Sequence, residues 1–200
     1  MTRLMIIMLL ALPALPATAH HPGERIDEVM TEQEPGFEAT DLRRTPQLRG
    51  TGTGGERLEL DTFRDKIVVV SFAPKRCGAS CAAQQALLKK VQEGVNVSPM
   101  RDWVVFLTVG ATDAAGWDET NWQSVMAQQG VVEVADSFAA LSERDTTAPM
   151  VHVVARGGRH TGIFHGADFG RVNLILYISE LVNAPPPEPG LLDQIPGVFR

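Results

Sequence analysis

The sequence predicts an α/β domain built on a central mixed β-sheet with helices on both faces, and three observations carry that prediction. The run Ile67-Val68-Val69-Val70-Ser71-Phe72 is continuously apolar and β-branched, the composition of a strand buried on both faces. A helical rhythm of Ala, Leu and Gln follows from Ala82 to Val91, and a second apolar run lies from Trp103 to Val109. Further on, Met150 to Val154 and Arg159 to Phe164 flank Gly157-Gly158 as a hairpin, and a last helix is expected from about Val172 to Val182. Strand–helix alternation closed by a hairpin and a helix calls for a sheet covered on both sides.

The remaining segments take their places around that frame. A short strand is expected from Phe37 to Leu42. The glycines of Arg49 to Gly55 supply turn chemistry, and Arg57-Leu58-Glu59-Leu60 alternates like a half-buried strand. Asn121 to Gln129 reads as a helix, and Val134 to Leu141 as a shorter one. Trp117 and Trp122, with Asp118 and Glu119, mark a loop and helix beside the second strand where a partner or lid would sit. Pro185-Pro186-Pro187 ends the last helix. The chain shows no internal repeat.

The N-terminus carries Arg3, an apolar run from Leu4 to Leu15, and Ala17-Thr18-Ala19 as a small-residue cleavage site. That pattern describes a secretory signal peptide. The run is short and interrupted by Pro13 and Pro16, which disfavours the competing reading, an uncleaved anchor that tethers the domain to a membrane. No cysteine lies near the cut, so lipid attachment there is not expected. The organisation is therefore residues 1–19 as signal peptide or anchor, 20–35 as a polar, acidic mature arm, 36–184 as the domain, and 185–200 as an irregular tail. The expected location is exported, either soluble or N-terminally anchored. Formal charge is −6, one unit more negative without Arg3. No basic stripe remains to grip a phosphate backbone, so nucleic acid is not an expected partner.

The chain has two cysteines, Cys77 and Cys81, at the junction between the first buried strand and the helix after it. A structural disulfide in an oxidising compartment stabilises most when it closes a long loop. Cys77-Gly-Ala-Ser-Cys81 closes almost nothing, which favours a redox pair or a metal clip. A helix N-terminus lowers a thiol's pKa through its unpaired N–H groups, and Lys75 and Arg76 add positive potential. Cys77 is thus the expected attacking sulfur and Cys81 the resolving one. Residues four apart share a helix face, so the two sulfurs can close a disulfide or bind a thiophilic ion such as Cu(I). Two buried core cysteines are the plain alternative, which the polar neighbours and the Gly-Ala-Ser bridge disfavour.

The run Phe63-Arg64-Asp65-Lys66-Ile67-Val68-Val69-Val70-Ser71-Phe72, followed by Cys77-x-x-x-Cys81, resembles the Sco/SenC family, roughly from Phe37 to Val182. The resemblance implies a thioredoxin-like fold and a periplasmic, membrane-tethered protein. It implies copper handling or thiol reduction in assembling the copper centre of cytochrome c oxidase, with a client that carries thiols or a copper site, a cytochrome c oxidase subunit among them. It also implies copper held by Cys77, Cys81 and a histidine just before the strand that starts here at Met150. Counting back from Gly157-Gly158, that position falls at about Thr147, in Asp145-Thr146-Thr147-Ala148-Pro149, where no histidine stands. Thiol–disulfide exchange needs only the sulfurs, and Pro149 resembles the cis-proline that faces the cysteines in thioredoxins. Two further readings stay open: a metal-free thiol–disulfide oxidoreductase, and a thioredoxin-fold interaction module with vestigial cysteines.

Other residues could complete a copper site. His20, with the terminal amine left by cleavage after Ala19 and with His21 assisting, could chelate the ion; the alternative is a plain polar terminus. His160 and His165 flank Thr161 to Phe164 and would reach the cysteines if their loop folded over; otherwise they are surface histidines. His152 is expected to fill a sheet position. Met100 and Met150 are soft donors, with core or loop positions as the alternative. There is no Ser-His-Asp motif, and the glycines of 50–55 precede a strand, not a helix, so no phosphate cradle is predicted.

Overall fold

The computed structural model of the protein describes residues 25–40, 44–75, 78–110 and 116–185. Elements follow in the order α1 (Ile26–Gln33), β1 (Phe37–Ala39), β2 (Arg49–Gly52), β3 (Arg57–Glu59), β4 (Ile67–Phe72), α2 (Gly78–Asn96), β5 (Val104–Val109), β6 (Trp122–Ala127), α3 (Val131–Ala139), β7 (Met150–Ala155), β8 (Arg159–His165) and α4 (Arg171–Asn183). The eight strands form one mixed sheet in the order β1-β8-β7-β4-β5-β6-β2-β3. β4 pairs parallel with β5 and antiparallel with β7, which places it at the centre.

Alternation along β4 distributes the core. Ile67 and Val69 face one side, packed with Leu88, Val91 and Val95 of α2, Met30 of α1, and Leu174, Tyr177 and Ile178 of α4. Val68, Val70 and Phe72 face the other, packed with Val134 and Phe138 of α3. All six β4 residues are buried, as are all six of β5, as continuous apolar strands require. The expected sheet with helices on both faces is the observed one.

Four expectations change. Arg49 to Gly52, read as turn chemistry, is strand β2, paired with β3 and β6. Asn121 to Gln129 is not a helix: Trp122–Ala127 is strand β6, paired parallel with β5 and antiparallel with β2. Its Gln, Met and Ala favour helix in isolation, but two flanking ladders decide the outcome. Trp117 does not line a lid. It stacks on Trp122 with centroids 5.3 Å apart, and both pack with Phe106 in the core. The segment read as a polar arm contains helix α1, whose Met30 is buried in the core. Polar contacts tie this segment to α4: Tyr177 OH donates to Asp27 Oδ1 (2.9 Å), and Glu34 Oε2 accepts from the Gly170 N–H and from Asn173 Nδ2 (2.7 and 2.9 Å). The expected signal peptide and the tail from residue 186 lie outside the described residues. Among the described residues, no helix is long and apolar enough to cross a membrane.

Candidate functional site

β4 ends at Phe72, and six residues later the chain enters α2, so the cysteine turn lies beyond the carboxyl end of the central strand, where α/β sheets gather their sites. Gly78 opens the helix at φ +69°, a conformation that suits glycine. Cys81 sits in the first turns of α2, is buried and is disulfide-bonded. Its sulfur lies 3.7 Å from the Phe72 carbonyl oxygen. Cys77, the other sequence-predicted residue, lies outside the described residues, as does His20.

Opposite the helix stands the segment that leads into β7. An open cleft of about 580 Å³ runs between Ala79, Ser80 and Ala83 on one wall and Thr147, Pro149 and Gly166 on the other. Thr147, near the position at which the resemblance expects a histidine, therefore lines this cleft. No peptide bond among the described residues is cis, so the Ala148–Pro149 bond is trans, unlike that of the proline it resembles.

Gln84 joins the two walls. It is completely buried on α2, and its Nε2 donates to the carbonyl oxygens of Pro149 (2.9 Å) and Gly166 (2.6 Å). Pro149 O also accepts the Gly166 N–H (2.8 Å). Gln84 Oε1 is buried and has no hydrogen-bond partner. Sequence reading missed this residue, although a signal existed: Gln84 lies on the buried stripe of α2 with Cys81, Leu88 and Val91, where a polar side chain is out of pattern.

The three histidines among the described residues, His152, His160 and His165, are not on the surface. His160 is fully buried: its Nδ1 hydrogen-bonds Thr40 Oγ1 (2.7 Å) and its Nε2 hydrogen-bonds His152 Nδ1 (2.9 Å). Both nitrogens of His160 are thereby engaged. His152 fills a sheet position, edge-on to Phe72 and Phe138, and burial holds it well below the usual imidazole range, with His160 and His165 adding to the shift. His165 is also buried, with Nε2 2.7 Å from Glu38 Oε2. Burial lowers the His165 pKa, opposed by its hydrogen bond to Glu38. Burial alone would raise the Glu38 carboxyl, but donors from the Glu143 N–H, Ser142 and His165 outweigh it and hold the carboxyl below its usual value. The pair is therefore a neutral imidazole donating to a carboxylate, which leaves His165 Nδ1 a bare acceptor, buried and unpartnered. Met150 is half-buried and directly opposite His165 across the β7–β8 ladder, while Met100 packs against the core. Among the described residues, no three metal-ligating side chains converge.

No known family profile matches the sequence, and no curated protein does. Solved structures do match in fold. One is BsSco, a member of the Sco family of cytochrome c oxidase assembly proteins in which a disulfide switch was identified: TM-score 0.58 at 11% identity, covering 72% of this chain and 96% of that one. A second is a SCO1/SenC family lipoprotein from Bacillus anthracis, with TM-score 0.56, 11% identity, and coverage of 72% and 98%. A third is a secreted thiol-disulfide isomerase from Corynebacterium glutamicum, with TM-score 0.52, 15% identity, and coverage of 74% and 92%. The chain has a thioredoxin-like fold, and Sco/SenC proteins are among those that share it.

Proposed function

We propose that this is an exported thiol–disulfide exchange protein that works through Cys77 and Cys81. The carrying observation is the position of Cys81: buried, disulfide-bonded, at the start of α2 and beside an open cleft. In the reducing direction, the Cys77 thiolate attacks a client disulfide, forms a mixed disulfide and expels one client thiolate. Cys81 then attacks the Cys77 sulfur, which closes the Cys77–Cys81 bond and releases the second client thiolate. Two electrons pass from the protein dithiol to the client, and the oxidising direction is the reverse. A buried Cys81 suits the resolving role, because the attacking sulfur is the one that must meet the client. With Cys81→Ser, the mixed disulfide should accumulate and be trapped on a disulfide peptide. No covalent adduct on Cys77 by mass spectrometry would remove this reading.

A second reading, favoured by the fold shared with BsSco, treats copper as cargo in the assembly of a cytochrome c oxidase copper site. Two thiolates suit Cu(I), but the resemblance puts the third ligand position at about Thr147, and both His160 nitrogens are engaged. His165 Nδ1 is a bare ring nitrogen, so that side chain remains a candidate donor. The described residues thus fit the three-ligand set poorly, and no step is derived through the metal. Titration of the reduced protein with Cu(I) against a competing chelator tests it: binding no tighter than that of Cys77→Ser ends the copper reading.

A further inference from the structure

We propose that Gln84 is a positioning residue for thiol exchange: its side-chain amide ties α2 to the Pro149 and Gly166 backbones and so sets the cleft that receives a client segment beside the cysteines. This inference rests on the exchange reading above.

The geometry is specific. Both acceptors of Gln84 Nε2 are carbonyl oxygens, so the amide has one workable orientation; the flipped side chain would press Oε1 against two acceptors. The two hydrogens of one nitrogen therefore hold the start of β7 and the turn after β8 at fixed distances from the helix that carries Cys81. Both acceptor residues, Pro149 and Gly166, line the far wall of the cleft, and Ala83, next to Gln84 in sequence, lines the near wall. The Gly166 N–H to Pro149 O bond locks the two far-wall segments together, so one side chain governs that wall's distance from α2.

The incomplete pairing of Gln84 separates this role from ordinary packing. A fully buried side chain whose only task was to fill space beside Leu88 would be served by an apolar residue without an orphaned acceptor. Gln84→Met keeps the length and volume, removes the orphaned Oε1, and deletes only the two tethers. Gln84→Glu also keeps the length but turns a carboxylate toward two carbonyl oxygens, which drives the walls apart.

The test compares the reduced wild type with both variants. Two disulfides serve as substrates: dithionitrobenzoate, which is too small to need the cleft, and a cysteine peptide capped with thionitrobenzoate. The ratio of peptide to small-disulfide single-turnover rates should fall about tenfold in Gln84→Met, through weaker saturation by the peptide more than a lower limiting rate, and further in Gln84→Glu. Hydrogen exchange at the Gly166 amide should quicken in both variants, while circular dichroism reports whether each remains folded. Turnover by the wild type with an unchanged ratio in Gln84→Met overturns the positioning role and leaves the exchange reading standing. A wild type inert toward both disulfides overturns the exchange reading and this inference with it. Gln84→Glu outperforming Gln84→Met would also contradict the tether.

Discussion

Gln84 and Gln92 are both buried on α2, two helical turns apart, and both reach across to neighbouring backbone. Gln92 is completely paired: its Nε2 donates to Asp118 O (2.9 Å) and Asn121 Oδ1 (2.8 Å), and its Oε1 accepts the Asp118 N–H (3.0 Å). Asn96 extends the network to Asp118 Oδ2 and exchanges hydrogen bonds with Asn121. Gln84 spends both hydrogens on carbonyls and leaves its oxygen bare. A satisfied buried network rigidifies and stabilises, whereas a half-satisfied one carries a standing cost. The C-terminal half of α2 is thus built for stability, and the half that bears Cys81 gives some of it up beside the cleft.

Substitutions should divide along that line. The largest effect is expected from Cys81→Ser, which should cut disulfide exchange turnover by on the order of 10³-fold or more by removing the resolving sulfur. A variant that still turns over repeatedly would shift the chemistry away from this pair. Next, Gln92→Leu should lower unfolding free energy by about 2–3 kcal/mol in urea melts, because Asp118 and Asn121 lose their partners, with little change in peptide-disulfide KM. Gln84→Met should cost less than about 1 kcal/mol in the same melts, since loss of the orphaned acceptor offsets the lost tethers. If Gln84→Met proves the more destabilising of the two, the contrast between the ends of α2 fails.

A further effect, read against pH, concerns the opposite face of the sheet, where neither glutamine acts. His152 is held neutral by burial, with its folded pKa well below the unfolded value of about 6.5. The unfolded chain therefore takes up a proton that the folded chain refuses. The contribution is complete above that pH and is lost as pH falls below it, at no more than about 1.4 kcal/mol per pH unit for this histidine. The lowered His165 pKa has the same sign. His152→Phe should flatten the stability profile between neutral pH and pH 5, and an unchanged slope would mean that His152 does not titrate differently on unfolding.

Much of the fold was legible in the sequence wherever burial on both faces left a continuous apolar run. β4 matches Ile67 to Phe72 residue for residue, and β5, β7, β8 and α4 match within a residue or two. β6 was not legible, because Trp122-Gln123-Ser124-Val125-Met126-Ala127 is a strand only between β5 and β2. Helix α1 was hidden for a similar reason: one buried residue, Met30, and contacts to α4 hold a segment whose composition reads as polar. At the site, the cysteine turn and Thr147 came from local sequence. The burial of His160 and His165 did not, since it depends on Thr40 and Glu38, more than 100 residues away. Gln84 acquires its meaning from Pro149 and Gly166, which only the fold brings to it.

The central claim is that the pair at the start of α2 is a working redox couple, and its reduction potential tests that most directly. Equilibration of the protein with glutathione buffers, with free thiols counted by alkylation and mass spectrometry, gives the value. A potential well above about −300 mV is predicted for an exchange couple, and one at or below it would mark the bond as an inert staple.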